Sequence, residues 1–278
     1  MRGSERAARE LPRRARAGSY SALMLLAAIF AVGAIVGSFL NVCIHRLPSG
    51  ESIVFPASHC PRCGEPIHPY DNIPILSYLI LRGRCRYCGG AISARYPVVE
   101  LLGGLAAVGC VLELGVSAHA LLTFAFLCAL IVITFVDLDC QIIPDAISLP
   151  GIGVGFAAAL VLGQPTWRAS LAGIALGGGL LWAVAEGYHW LTGREGMGGG
   201  DIKLLAMIGA FLGWRAVPVS LMIASIAGTA VGVALMVGQR RNGRTAIPFG
   251  PFLALGAVCA LFWGDALIAW YLGVTLSA

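Results

Sequence analysis

Apolar residues in this chain run in long unbroken blocks, without the alternation of a half-buried strand or the single stripe of a surface helix. Eight such blocks fall, to within a few residues, at 21–43, 98–116, 119–136, 146–163, 169–191, 202–214, 217–237 and 248–272. Most approach the roughly 20 residues needed to cross a bilayer, and the sixth is the short one. In lipid only helices and closed barrels satisfy their own backbone hydrogen bonds, and these blocks lack the dyad repeat of barrel strands. The pattern predicts an all-α fold, a polytopic membrane bundle of about eight transmembrane helices. Composition agrees, since 58% of the 278 residues are hydrophobic and 12% charged, against about 25% charged in ordinary soluble domains. No stretch of domain size is left over for a separate soluble unit.

Charge then orients the bundle, because cytosolic loops retain Lys and Arg. With residues 44–97 on the cytosolic side, that side carries Arg46, Arg62, Arg82, Arg84, Arg86, Arg95, Arg194, Lys203, Arg240, Arg241 and Arg244. The opposite side carries Arg168 and Arg215. This asymmetry places a multi-pass protein in the plasma (inner) membrane with its larger loops toward the cytosol. The basic tail of residues 1–20, with Arg2, Arg6, Arg9, Arg13, Arg14 and Arg16, falls on the wrong side of that arrangement. The conflict suggests a tail that is not translated, with initiation downstream, for instance at Met24. A signal peptide is the plainer alternative, but no convincing small-residue cleavage site follows the first apolar block. The expected division is therefore a tail at 1–20, a first transmembrane helix at 21–43, a cytosolic loop at 44–97 and a membrane domain at 98–278.

That loop holds four of the nine cysteines, as Cys60-Pro-Arg-Cys63 and Cys85-Arg-Tyr-Cys88, each pair followed by a glycine. Two residues between thiolates let both sulfurs of a tight turn face one tetrahedral ion, while Gly64 and Gly89 let backbone amides approach them. The 21-residue spacer contains the turn signal Asp71-Asn72-Ile73-Pro74. A structural zinc ion is expected, because four thiolates leave no open position for water. Two disulfides are the alternative and would need an oxidising compartment, against the loop charge. Cys43, Cys110, Cys128, Cys140 and Cys259 lie singly in or beside apolar blocks, where a thiol packs as a small hydrophobe.

With only fourteen acidic residues in the chain, those at helix ends are informative. Asp137, Asp139 and Asp145 follow the third apolar block, with Pro144 restarting the chain into the next helix. Asp201 follows Gly196-Met197-Gly198-Gly199-Gly200, where glycines permit backbone conformations and approaches closed to other residues. Under the charge-derived topology Asp137 and Asp201 reach the same membrane face. A lone Asp at such a place is usually a helix cap or an interfacial charge, which describes Asp145 and leaves Asp139 a solvated neighbour. Two together suit an aspartyl protease, in which one carboxylate activates water and one carboxylic acid polarises the peptide carbonyl. Gly198 and Gly200 support the loop. Lys203, the sole lysine, is expected either to anchor the sixth helix at the interface or to stabilise the ionised member of the pair or contact substrate.

In this order the motifs resemble the bacterial prepilin peptidase family, the type IV leader peptidases. The resemblance rests on Gly37-Ser38-Phe39-Leu40-Asn41-Val42 with His45-Arg46-Leu47-Pro48, the four-cysteine loop, and Tyr70-Asp71-Asn72-Ile73-Pro74. Arg95-Tyr96-Pro97 with Glu100-Leu101, the Asp137 segment, Gly198-Gly199-Gly200-Asp201 as a GxGD motif and Ile247-Pro248-Phe249-Gly250-Pro251 complete it. It implies cleavage of the basic leader of type IV prepilins or type II secretion pseudopilins, with Asp137 and Asp201 catalytic. It also implies N-methylation of the new terminus with S-adenosylmethionine as donor, and links residues 44–97 to that second activity. No residue pattern of the chain marks a site for that donor; Gly177-Gly178-Gly179 sits in an apolar helix and reads as small-residue packing. The expected partners are the bilayer and the pilin-type substrate, with no nucleic acid. A peptidase without methylation, or a non-enzymatic transporter or scaffold with a structural zinc loop, are the competing readings, the latter because intramembrane acids often line ion paths.

Overall fold

The computed structural model describes residues 2–193, 198–239 and 247–277, with side chains from 22 to 193, 198 to 238 and 247 to 273. Arg194, Gly196, Met197, Arg240, Arg241 and Arg244 of the loops above lie outside the described residues. The helices are α1 (Arg2–Arg46), α2 (Leu76–Ile80), α3 (Arg95–Leu114), α4 (Ala118–Cys140), α5 (Asp145–Leu162), α6 (Trp167–Thr192), α7 (Gly199–Leu212), α8 (Ala216–Gln239) and α9 (Gly250–Ser277). Among the described residues there is no strand, only two isolated bridges in the cysteine loop.

All eight apolar blocks are helical. Among the described residues seven helices are long and apolar enough to cross a membrane: α1 from Ala22, α3, α4, α5, α6, α8 to Gly238 and α9 to Gly273. The exception is the sixth block, α7, whose 14 residues span only about 21 Å against a hydrocarbon core of roughly 30 Å. Helix ends follow local chemistry. Ser117 and Thr166 accept hydrogen bonds from the Ala120 and Ala169 N–H groups at the starts of α4 and α6. Left-handed Gly163 and Gly193 close α5 and α6.

The chain forms two compact units. In the first, residues 1–41 with 56–112, α1 packs on α3 through glycine. A Cβ on Gly33 would lie 2.5 Å from the Gly103 carbonyl oxygen, and one on Gly37 2.7 Å from the Glu100 Cα. The four-residue spacing of Gly33 and Gly37 presents both to α3, the small-residue contact that membrane helices use in place of a hydrophobic driving force. Asn41 donates to the Tyr96 carbonyl across the same seam, at 3.2 Å.

The second unit, residues 42–55 with 113–278, is built around α7. Leu204 through Ala210 are all buried, packed by α5, α6, α8 and α9. Gly173 and Gly209 meet backbone to backbone, and Gly177 sits against the Leu205 carbonyl. Within the glycine run of α6, Gly177 is therefore a packing contact, while Gly179 has no neighbour within 4 Å of its Cβ direction. The short α7, walled in by longer helices, starts with Asp201 in its first turn and ends against the start of α6, where the Trp214 N–H donates to the Ala169 carbonyl at 3.1 Å.

Candidate active site and metal centre

Four helix ends meet at one end of the second unit. Asp137 lies in the last turn of α4, which stops after Cys140 with Gln141 left-handed and its N–H on the Asp137 carbonyl. Asp145 opens α5, Asp201 is the third residue of α7, and Gly250 opens α9. Asp137 is 5% exposed, and its Oδ2 accepts the Gly250 N–H at 2.9 Å. The first N–H groups of a helix have no intrahelical partner and carry its positive end, so α9 stabilises negative charge on Asp137. Asp201, outside the seven crossing helices, is half-buried; burial, and then the negative charge of Asp137, push its carboxyl up to about 6. Two neighbouring carboxyls, one buried and accepting a backbone N–H and the other half-buried, are the pair of groups that general acid–base hydrolysis needs.

Ile143 closes the floor between the two acids. A Cβ on Gly200 would come 2.8 Å from the Ile143 Cβ, and one on Gly250 would come 2.6 Å from the Asp137 Oδ2 and 3.4 Å from the Ile143 Cδ1. Glycine at these two positions therefore lets α7 and α9 approach the Asp137 segment. Gly198 is the N-cap of α7 with its Cβ direction 3.9 Å from the Asp201 Oδ2, and Gly199 faces open space.

Of the other candidates, Asp139 is on the exposed side of the last turn of α4. Lys203 places its ammonium on both carboxylate oxygens of Asp145, at 2.7 and 2.8 Å. Of the two roles open to Lys203, the one as partner to an ionised dyad member is not the contact it makes. It ties the start of α5 to the first turn of α7.

In the first unit the four thiols of Cys60, Cys63, Cys85 and Cys88 converge, their sulfurs all within 4.8 Å of one another. The two pairs form matching turns. Cys60 N–H donates to Glu65 O and Gly64 N–H to Cys60 O; Cys85 N–H donates to Gly90 O and Gly89 N–H to Cys85 O. Gly64 and Gly89 take φ of +74° and +66°, which a side chain would strain. Tetrahedral zinc with Zn–S near 2.3 Å separates its sulfurs by about 3.8 Å, and the Cys60 and Cys88 sulfurs stand 3.9 Å apart. All nine cysteines are free, so the pairs form no disulfides. Backbone N–H groups of Cys63, then Arg62, hold the Cys60 thiol down to about 6, whereas at Cys63 the Glu65 N–H is outweighed by desolvation and the neighbouring thiols, which push it up to about 11, so the four thiols share their charge until a cation takes it. Arg86 grips Asp71 with two donors beside the cluster, pinning the loop at Tyr70 and Asp71.

Sequence reasoning named the segment containing Gly250 without a role for it. Its signal was there: a glycine followed by proline at the start of an apolar block marks an open helix N-terminus beside which a carboxylate can sit.

Comparison with known proteins gives two family matches, the Bacterial Peptidase A24 N-terminal domain over residues 31–114 and the Type IV leader peptidase family over residues 124–233. A protein of Aeromonas salmonicida named prepilin leader peptidase/N-methyltransferase is 39% identical over 277 residues, covering 89% of this chain and 94% of that one. Proteins of the same name from Burkholderia pseudomallei and Pseudomonas aeruginosa are 38% and 36% identical, covering 87% of this chain each and 86% and 91% of theirs. No solved structure matches the chain.

Proposed function

The chain belongs to the type IV leader peptidase family, and from that premise we propose that it removes the basic leader of type IV prepilins or related pseudopilins and then methylates the exposed N-terminal amine. The observation that carries the peptidase reading is the pairing at one end of the second unit. A buried Asp137 accepts the Gly250 N–H, and Asp201 is lifted by burial and by the charge of Asp137.

In the proposed reaction Asp201 holds the proton and donates it toward the scissile carbonyl oxygen. Asp137, ionised, takes a proton from a water that attacks the carbonyl carbon. The gem-diol intermediate then collapses as Asp201 takes back a proton from one of its hydroxyls and Asp137 passes the water-derived proton to the leaving amine, which frees the leader as its carboxylic acid and restores the pair. The two apparent pKa values of such a dyad belong to the pair as a whole. Gly198 and Gly199 keep the approach to Asp201 clear of side chains, so an extended peptide reaches it, while Gly200 lets α7 pack against Ile143.

Methylation moves a methyl group from the sulfonium sulfur of S-adenosylmethionine to the new terminal nitrogen, releasing the thioether and a proton. We assign it to the module of residues 44–97, and zinc to its four thiolates, where the metal serves to fold the loop. The orientation we infer from loop charge puts dyad and module toward the cytosol of the inner membrane.

Two outcomes test the site. Gly250→Ala drives a Cβ into the Asp137 carboxylate, and leader cleavage by the purified, folded variant is expected to fall at least about 100-fold, the scale of one general-base contribution. Near-normal turnover would remove Gly250 from the site. Lys203→Met breaks only a surface pair worth less than about 1 kcal/mol, so cleavage is expected to stay within a few-fold of wild type. A drop as large as that of the aspartate variants would place Lys203 on the substrate.

A further inference from the structure

Between α1 and α3 the chain folds α2 with its polarity reversed. Leu76, Leu79 and Ile80 stand at i, i+3 and i+4, one helical face, and that face is 50%, 64% and 66% exposed. Ile73, one turn earlier, is 46% exposed and extends the ridge. The polar residue on the other side, Ser77, is buried, accepting the Ile73 N–H and donating to the Tyr70 carbonyl, both at 3.0 Å. A short helix in a water-facing loop buries its leucines and shows its serine. This one does the opposite.

The helix is also held in place at a cost. Ile75, just before it, has φ +61° and ψ −48°, a strained conformation for a β-branched residue. Its N–H donates to the Glu100 carboxylate at 2.6 Å. Glu100 is 8% exposed in α3, five residues past Arg95 and so about 8 Å along a helix that crosses the membrane. The start of α2 is thus tied beside the second turn of a helix long and apolar enough to cross a membrane. Arg82 and Arg84 follow directly and are exposed, placed as interfacial cations usually are.

We infer that Ile73, Leu76, Leu79 and Ile80 form an interfacial anchor inserted into the headgroup–acyl boundary of the membrane crossed by α3, holding the four-cysteine module against that surface. The occupant of the ridge is lipid, argued from the tie of Ile75, just before the ridge, to Glu100 in α3 and from the arginines behind it. The inference goes beyond the proposed function and gives it a geometry: a freshly cut, membrane-embedded substrate presents its new amine at this surface.

The test uses full-length protein in vesicles of phosphatidylethanolamine and phosphatidylglycerol, with benzoylphenylalanine at position 79, 80 or, for comparison, 65 on the exposed cysteine turn. After irradiation, mass spectrometry is expected to find phospholipid adducts on the acyl chains at 79 and 80 and none at 65. Absence at 79 and 80, or equal labelling at 65, overturns the anchor. A second measurement avoids the bulky probe. In the same vesicles the double variant Leu79→Ser with Ile80→Ser is expected to be cut by trypsin after Arg82 at least ten times faster than wild type, and an unchanged rate counts against the anchor. Leader cleavage measured on these vesicles reports separately on the proposed activity, since neither readout depends on it.

Discussion

Asp137→Asn and Asp201→Asn are each expected to lower leader cleavage by at least about 10³-fold, with protein level and helicity staying at wild-type values. Asn matches Asp in size, so the 2.9 Å contact to Gly250 N–H remains sterically possible and α4 keeps its packing. What each variant loses is a proton-handling group, and general acid–base steps contribute roughly 10² to 10⁴ each. Because base and acid act on one water and one carbonyl, the double variant should be scarcely worse than either single one, as expected of groups that work as a unit. Product is read by mass shift of a purified prepilin after incubation in detergent. Methyl transfer to precleaved substrate, followed with labelled S-adenosylmethionine, should persist in both variants. Cleavage surviving in either would end the dyad assignment, and joint loss of both activities would point to a misfolded protein or a single shared site.

Much of this site is legible in sequence because scarcity does the selecting. In a chain with fourteen acids among 278 residues, a carboxylate that closes an apolar block stands out, as does one that opens the next after a glycine run. The apolar blocks give the helices because lipid admits no other solution for the backbone. What stays hidden depends on partners far away in sequence. The Gly250 donor is 113 residues from Asp137, and Lys203 is 58 from Asp145. Spacing along a helix predicts neither, since each joins the ends of different helices. The shortness of the sixth block reads as a weak span and turns out to be a buried half-length helix, because its walls are supplied by four others. The reversed polarity of α2 is likewise invisible in one dimension, where Leu76, Leu79 and Ile80 look like an ordinary inward face.

Removing the metal from the cysteine module is expected to separate the two activities. Purified protein should carry one zinc per chain, and Cys60→Ser with Cys63→Ser should carry none. Structural zinc supplies on the order of 10 kcal/mol or more of folding free energy to small four-ligand modules, and this module has little else. Tyr70, Tyr87, Ile73 and Leu79 are all exposed, so no apolar core replaces the metal if it leaves. The turns at Cys60 and Cys85 then lose what closes them on each other, and protease sensitivity should appear between residues 56 and 94. Methyl transfer is expected to fall at least ten-fold. Cleavage should stay within several-fold of wild type, because Asp137, Asp201 and Gly250 belong to the second unit, which contains none of the four cysteines. Glu100 and Ser77 still tether the far side of the loop and the Arg86 grip on Asp71 still holds the second turn, so the damage should be greatest at the Cys60 turn. Full methylation in a variant shown to bind no metal would remove zinc from the account, whereas equal loss of both activities would mean that the module supports the peptidase as well.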